Sequence, residues 1–360
     1  MHASTTLDEL DHLLVTALQT APRADWRRIG AALGVDASTA ARRWARLTGA
    51  GLAWQSCVPL LFEGVDPVVA FIEVDCASGR LHEVVAALVE DSHVFNLEHL
   101  TGGRDLMLTA GFRDQAELAR YVGFRLGRLA GVAATRTQIA TALHAEGSRW
   151  RLERLDERQR GLLGVDRPAV GAGRPVTEDD RELLRLLSED CRLPVAALAE
   201  RTGLSATAVR RRLARLDSAG ALLYRCDVAR HRSGWPIAVH LWGSAPPGEA
   251  ARVAAMLAGL RETRLCASLS GADNVLCTVW LRSVNRVQAF ETALGRRFPQ
   301  LAITDRAVTL WPVKMAGHLL DPEGRHLRNV PFWGWDDPAG EAELGALLGR
   351  LRTGPAAPRP

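Results

Sequence analysis

The chain has 360 residues, 47% of them hydrophobic and 24% charged, with 45 basic and 41 acidic side chains and a formal net charge of +4. At roughly 100 to 200 residues per domain, this length holds two to four domains with cores of their own. No apolar run approaches the roughly 18 residues needed to cross a bilayer, and the opening MHASTTLDELD lacks the basic-then-apolar order of a secretion signal. A cytoplasmic protein without membrane contact is expected. The six cysteines form no CxxC pair, which favours buried thiols over a disulfide framework or a metal site. So small a net charge says little about nucleic acid, and local clustering has to decide.

Residues 7–55 read as helices. Asp8, followed three positions on by Asp11, is close to a capping box and opens the first. "DWRRIGAALG" is a second helix stopped by glycine, after which Asp36 can cap a third running to about Leu47. At about 100° per residue, Ala40, Trp44 and Leu47 share one stripe, which is core. Arg42 and Arg46 point nearly opposite it, with Ser38 and Thr39 at the helix start and Arg43 on the flank.

Residues 67–141 then alternate strand and helix: "VVAFIEVDC", "GRLHEVVAALVED", two strands around the turn "TGGRD", "QAELARYVGFRLGRL" and "ATRTQIA". This βαββαβ order fits a ferredoxin-like sandwich with both helices on one sheet face, so the other face needs a partner. A short charged helix, "WRLERLDERQRGLL", and the Gly/Pro-rich "GVDRPAVGAGRPV" follow, and 144–175 is taken as a linker.

From residue 176 the pattern starts again. "LGVDASTAARRWARLTGAGLAWQSC" aligns with "TGLSATAVRRRLARLDSAGALLYRC" at a constant offset of 169, the separation of Gly34 and Gly203. The same offset pairs Arg42 with Arg211, Arg43 with Arg212, Arg46 with Arg215, Gly51 with Gly220, Pro67 with Pro236 and Gly102 with Gly271. The chain is a tandem duplication of a folding module, since this period is far too long for a solenoid unit. In the second copy Thr177 and Asp180 open the first helix, Ser205 can cap the third, and Val209, Leu213 and Leu216 form its core stripe.

Helix, short turn, then a helix whose outer face carries arginine and small hydroxyls is a helix-turn-helix arrangement. The second helix of such a pair can enter the major groove, where arginine bonds guanine edges or grips phosphate. A solvated charged face would explain one copy; arginine at the same outer positions in both argues for DNA. The candidate contacts are Ser38, Thr39, Arg42, Arg43 and Arg46, and Thr207, Arg210, Arg211, Arg212 and Arg215. Within this set Arg211 and Arg215 face outward for bases, while Arg210 and Arg212 suit phosphate.

"LDELDHLLVTALQTAPRADWRRIGAALGVDASTAARRWARLTGAGL" and, more clearly, "VTEDDRELLRLLSEDCRLPVAALAERTGLSATAVRRRLARLDSAGAL" resemble the winged helix-turn-helix domain of Lrp/AsnC transcription regulators. "LSATAVRRRLARLDSAGAL" is similar to that family's recognition helix and its terminal glycine. The first copy departs from it, with Asp36 for Ser205 and Trp44 for Leu213. The βαββαβ segments resemble the family's effector-binding domain, whose sheets pair face to face, within this chain as a pseudodimer or between chains as a homo-oligomer. The resemblance implies an α+β fold with two winged helix-turn-helix domains (7–60 and 176–229) alternating with two ferredoxin-like domains (67–143 and 236–312). It also implies double-stranded DNA as partner and a small effector such as an amino acid. "TGGRD" and "SGADN" match the family's G-x-x-D loop, so Gly102 and Asp105, with Gly271 and Asn274, are candidate effector contacts, beside the plainer reading as hairpin turns.

Residues 313–360 lie outside the repeat. They carry Phe332, Trp333 and Trp335, a short helix with Leu344, Leu347, Leu348 and Leu351, and a Pro-rich end, and are expected to dock on an effector domain or another protomer. No GxxxxGK[ST], HExxH or GxSxG occurs, and histidines such as His93 and His99 are not at metal-ligand spacing. No catalytic residue, metal or cofactor is therefore expected. The enzymatic alternative is the sirohaem decarboxylases, which resemble Lrp/AsnC proteins. Arg230 and His231, before the second sandwich, could then meet tetrapyrrole propionates, although the first copy has Phe62 in place of His231.

Overall fold

The computed structural model describes residues 7–59, 67–164, 176–331 and 338–353. The chain begins with α1 (Glu9–Thr20), α2 (Trp26–Leu33) and α3 (Ala37–Gly49). Asp8 and Asp11 close a complete capping box on α1, and the Asp25 carboxylate accepts from the Arg28 amide at 2.9 Å to start α2. Ala40, Trp44 and Leu47 are buried with Leu14, Leu18 and Ile29, so the stripe read from the sequence is core. Asp36 makes no side-chain cap bond. Behind α3 the chain turns at Gly51, whose φ of 66° suits glycine, and a Cβ there would sit 2.7 Å from the His326 carbonyl.

Then come β1 (Ala53–Pro59), β2 (Val68–Cys76), α4 (Leu81–Leu88), β3 (Val94–Leu100), β4 (Leu106–Phe112), α5 (Gln115–Arg120), β5 (Val132–Ala145) and α6 (Glu157–Leu163). The second copy repeats the order: α7 (Arg181–Glu189), α8 (Val195–Thr202), α9 (Ala206–Ser218), β6 (Leu222–Val228), β7 (Ile237–Ser244), α10 (Pro247–Ala258), β8 (Thr263–Leu269), β9 (Val275–Leu281), α11 (Arg286–Arg297) and β10 (Ala302–Met315). Here Ser205 does cap its helix, its hydroxyl accepting from the Ala208 amide at 3.1 Å. Val209, Leu213 and Leu216 are buried in that unit's core.

The strands run β5-β2-β4-β3 in one copy and β10-β7-β9-β8 in the other, antiparallel throughout. Period-2 alternation splits each strand between two cores. In β2, Ala70, Ile72 and Val74 join the helix-side core with Val84, Leu88 and Leu118, whereas Phe71 faces inward. In β7, Val239 and Leu241 join the core with Val253, Leu257 and Leu294, whereas Trp242 faces inward. Phe71, Met107, Trp242 and Leu276 pack in a common inner core. The two copies thus cover each other within one chain.

The terminal strands are longer than the sequence pattern indicated because each serves both copies. Val132 to Ile139 of β5 pairs with β2, and Ala140 to Ala145 with β8. Ala302 to Val308 of β10 pairs with β7, and Thr309 to Lys314 with β3. These crossovers close the eight strands into a barrel. A separate antiparallel ribbon joins the helical units, β1 to β6, with Gln55 opposite Cys226.

Two stretches correct the sequence reading. The expected linker 144–175 is built into the fold as far as Leu163: Trp150, Leu152, Leu155 and Leu163 lie in the core of the first helical unit. Its charged residues had hidden this apolar set. Beyond residue 313, β10 continues to Met315, and β11 (His318–Leu320) with β12 (His326–Asn329) extends the sheet as a hairpin. The final helix, α12 (Pro338–Thr353), lies against α5, with ion pairs from Arg128 to Glu343 and Arg113 to Glu341. Phe332, Trp333 and Trp335, Phe62 and the Gly/Pro-rich 165–175 lie outside the described residues.

Candidate nucleic-acid interface

Helices α3 and α9 carry the two arginine clusters, and the structure divides each cluster in the same way. Arg42 and Arg211 are exposed, as are Ser38, Thr207 and Arg210; Thr39 is half-buried. Arg43, half-buried, and Arg46, still exposed, turn back to α1, Arg43 reaching Asp11 at 2.9 Å and Asp8 at 2.6 Å and Arg46 reaching Asp11 at 2.5 Å. In the second copy Arg212 lies 3.8 Å from Asp180 and Arg215 pairs with the same carboxylate. Asp11 and Asp180 are buried, at 0% and 1% exposure. Each is an ion at the end of the first helix that needs compensation, and two guanidinium groups from the third helix supply it.

Arg43, Arg46, Arg212 and Arg215, expected among the DNA contacts, thus also hold ion pairs inside their own units. Helical periodicity alone cannot show that a long side chain bends toward a buried acid. The signal was present, however: Asp11 and Asp180 share the offset of 169 with the arginines they hold.

The helical units are fixed to each other. In the β1–β6 ribbon each strand serves the other copy, with α1 packed on β6 and α7 on β1. Gln19 of α1 donates to the Cys226 carbonyl at 3.1 Å and accepts from the Leu152 amide at 2.8 Å, joining both copies and the former linker. Arg225 and Arg264 converge on the buried Asp227 at 3.0 and 2.8 Å, and Arg264 lies over the Trp280 ring at 4.1 Å. Burial alone would raise the Asp227 carboxyl, but the two guanidiniums outweigh it and hold it at about 2.

The G-x-x-D loops lie at the contact between copies. Gly102 takes a φ of 98°, and the Thr101 amide donates to the Val308 carbonyl of the other copy at 3.0 Å. A Cβ on Gly271 would meet the Gln138 side chain at 2.5 Å. The polar ends of these loops are engaged locally. Asp105 accepts from the Cys76 amide at 2.7 Å, and Asn274 accepts from the Ala245 amide at 3.0 Å while donating to the Ala245 carbonyl at 2.8 Å. Cys76 and Ala245 are equivalent in the repeat, so both side chains fasten the end of the first sheet strand. Asp105, a candidate effector contact, thus also fastens its own turn.

Arg230 and His231 are also separated. Arg230 is 2% exposed and donates to the Thr309 carbonyl at 3.4 Å, and burial, partly offset by the charge of Glu98, lowers it to about 10. His231, by contrast, is exposed. Among the described residues no group of three His, Cys, Asp or Glu is placed to hold a metal ion, and no helix is long and apolar enough to cross a membrane.

One cavity, of about 220 Å³, was not visible in the sequence. It lies between the inner faces of the two copies, roofed by Val58, Pro59 and Leu223 of the ribbon and walled by Phe71, Met107 and Trp280.

The AsnC-type helix-turn-helix domain matches residues 7–48 and again 176–217, and the Lrp/AsnC ligand binding domain matches 69–149. The chain belongs to the Lrp/AsnC family. An uncharacterized HTH-type transcriptional regulator of Pyrococcus abyssi is 28% identical over 142 residues, 39% of this chain and 90% of the relative. The HTH-type transcriptional regulator FL11 of the same organism is 26% identical over 142 residues, again 39% of this chain and 93% of the relative. Each of these relatives thus corresponds to about one module. A likeness over the whole length is found with the siroheme decarboxylase NirDL, at a TM-score of 0.54, 11% identity, and coverage of 96% of this chain and 100% of that one. At that identity the likeness is one of fold.

Proposed function

We propose that this Lrp/AsnC chain is a sequence-specific transcriptional regulator that binds double-stranded DNA in the cytoplasm as a built-in pseudodimer and responds to a small effector. Its winged helix-turn-helix domains are 7–60 and 176–229, and its ferredoxin-like domains for assembly and ligand response are 67–143 and 236–312. The observation that carries this reading is the paired exposure of Arg42 and Arg211 at equivalent positions of α3 and α9, while their neighbours are anchored within each unit.

In this reading Arg42 and Arg211, with Ser38 and Thr207, meet base edges or the adjacent phosphates, and Thr39 supports the helix start. Arg210 adds a phosphate contact to the second copy alone, because Ala41 stands in the first. Arg43, Arg46, Arg212 and Arg215 hold the recognition helices in position. The half-sites are therefore unequal, with the second unit presenting the more basic contact surface. Selection of bound sequences from a random DNA pool, with and without amino acids, tests this. A bipartite site with two unequal halves is expected. Absence of any sequence enrichment would overturn the reading.

A further inference from the structure

The cavity of about 220 Å³ between the copies has a wall made mostly of carbon, including Val69, Phe71, Met107, Leu143, Leu265 and Trp280. Charged residues reach its edge, but each already has partners. Arg225 and Arg264 share Asp227, and Arg225 also faces Glu146 at 3.6 Å. Glu98 accepts from the Thr309 hydroxyl at 3.0 Å and lies 3.4 Å from His240. Lys314 donates to the Val89 and Asp91 carbonyls, both at 2.9 Å. A charged ligand would compete with these pairs and with the carbonyl bonds of Lys314, whereas a neutral one leaves them intact. Thr109 and Thr278 place hydroxyls in the lining, Thr278 also bonding His240 at 2.9 Å, and the Asn96 side chain, whose oxygen accepts from the Ala316 amide at 2.9 Å, adds its amide. An engineered apolar cavity of about 150 Å³ accepts benzene, so this larger space suits a bicyclic ring.

We propose that this inter-copy cavity is a binding site for a neutral, mainly apolar small molecule of bicyclic size. The site is remote from the G-x-x-D loops in its chemistry as well as in its lining: it offers packing and hydroxyl groups rather than a free carboxylate. Its roof is the β1–β6 ribbon, which continues directly from α3 and α9, so an occupant braces the element that links the two recognition helices. That coupling rests on the DNA-binding reading; the ligand site itself does not.

Titration calorimetry on the full chain with indole, and separately with indole-3-carboxylate, tests the site. Saturable one-to-one binding of indole is expected, at least tenfold tighter than that of the carboxylate. Met107→Trp, which fills the cavity, and Leu143→Trp, at its half-exposed edge, should each weaken indole binding at least tenfold while circular dichroism shows a folded protein. Leu143→Trp keeps the test decisive if the Met107 variant does not fold. Absence of saturable binding, equal binding by the folded variants, or preference for the carboxylate would overturn the proposal. DNA binding by the ligand-free protein is measured separately, so loss of the regulator reading would show there and not in the indole titration.

Discussion

Arg23 and Arg192 occupy equivalent positions in the two copies and make the same contact in opposite directions. Arg23 donates to the Cys191 carbonyl, and Arg192 donates to the carbonyls of Pro22 at 2.7 Å and Ala24 at 2.8 Å. Pro22 and Cys191 are themselves equivalent, so the pair forms a clasp about a pseudo-two-fold axis, with Arg192 lying 4.1 Å over the Trp26 ring. The clasp fixes how the two helix-turn-helix units sit relative to one another. Replacing Arg192 by alanine removes charge-assisted bonds worth roughly 1.5–3 kcal/mol. Affinity for DNA carrying both half-sites should fall about tenfold, with affinity for an isolated half-site unchanged, as measured by fluorescence anisotropy.

The buried carboxylates of α1 and α7 set a second expectation. Asp180→Asn removes the buried negative charge that Arg212 and Arg215 share, so stability should fall by about 1–3 kcal/mol. Asp11→Asn should do the same in the first copy. Urea unfolding of both variants measures the loss; an unchanged midpoint would show that the pairs contribute nothing.

Asp105 and Asn274 make opposite demands although they are equivalent in the repeat. Asn274 both accepts from and donates to Ala245, so Asn274→Asp places a carboxylate against a carbonyl and should cost roughly 1–3 kcal/mol. Asp105 only accepts from Cys76, so Asp105→Asn should be nearly neutral. Thermal melts of the two variants separate these outcomes.

The C-terminal hairpin carries a pH dependence. His318 is fully buried, and burial, reinforced by the neighbouring His326, lowers its pKa to about 3; Asp227, Arg225, Trp54 and the Ser188 backbone also face it. The folded protein holds this imidazole neutral, whereas the unfolded chain protonates it near 6.5. Between about pH 6.5 and 3 the unfolded state binds the extra proton, so stability falls as pH drops through that window. Tm measured from pH 7.5 to 5 should decline less steeply for His318→Phe than for the parent protein.

Much of the architecture was legible in the chain because the repeat doubled every signal. The stripe Val209, Leu213 and Leu216, the βαββαβ order and the glycines at 51 and 220 all appear as the sequence pattern placed them. What the sequence did not show depends on partners distant along the chain. Arg46 and Arg215 look outward on a helical wheel but bend to acids 35 residues earlier. Trp150 and Leu152 sit among charged residues in sequence yet enter the core of the first helical unit. Closure of the barrel by β5 and β10 depends on pairings between copies, which no local periodicity encodes.

The most direct measurement is the salt dependence of DNA binding for the parent protein and for Arg211→Ala, Arg42→Ala and Arg215→Ala, on a site selected from a random pool. Each phosphate contact contributes about 0.9 to the slope of log affinity against log salt. The expected result is that Arg211→Ala and Arg42→Ala lower affinity at least tenfold and reduce either the slope or the base preference. Arg215→Ala should act mainly through a lower Tm. Unchanged affinity, slope and site preference in both Arg211→Ala and Arg42→Ala would contradict the assignment of α3 and α9 as DNA-reading helices.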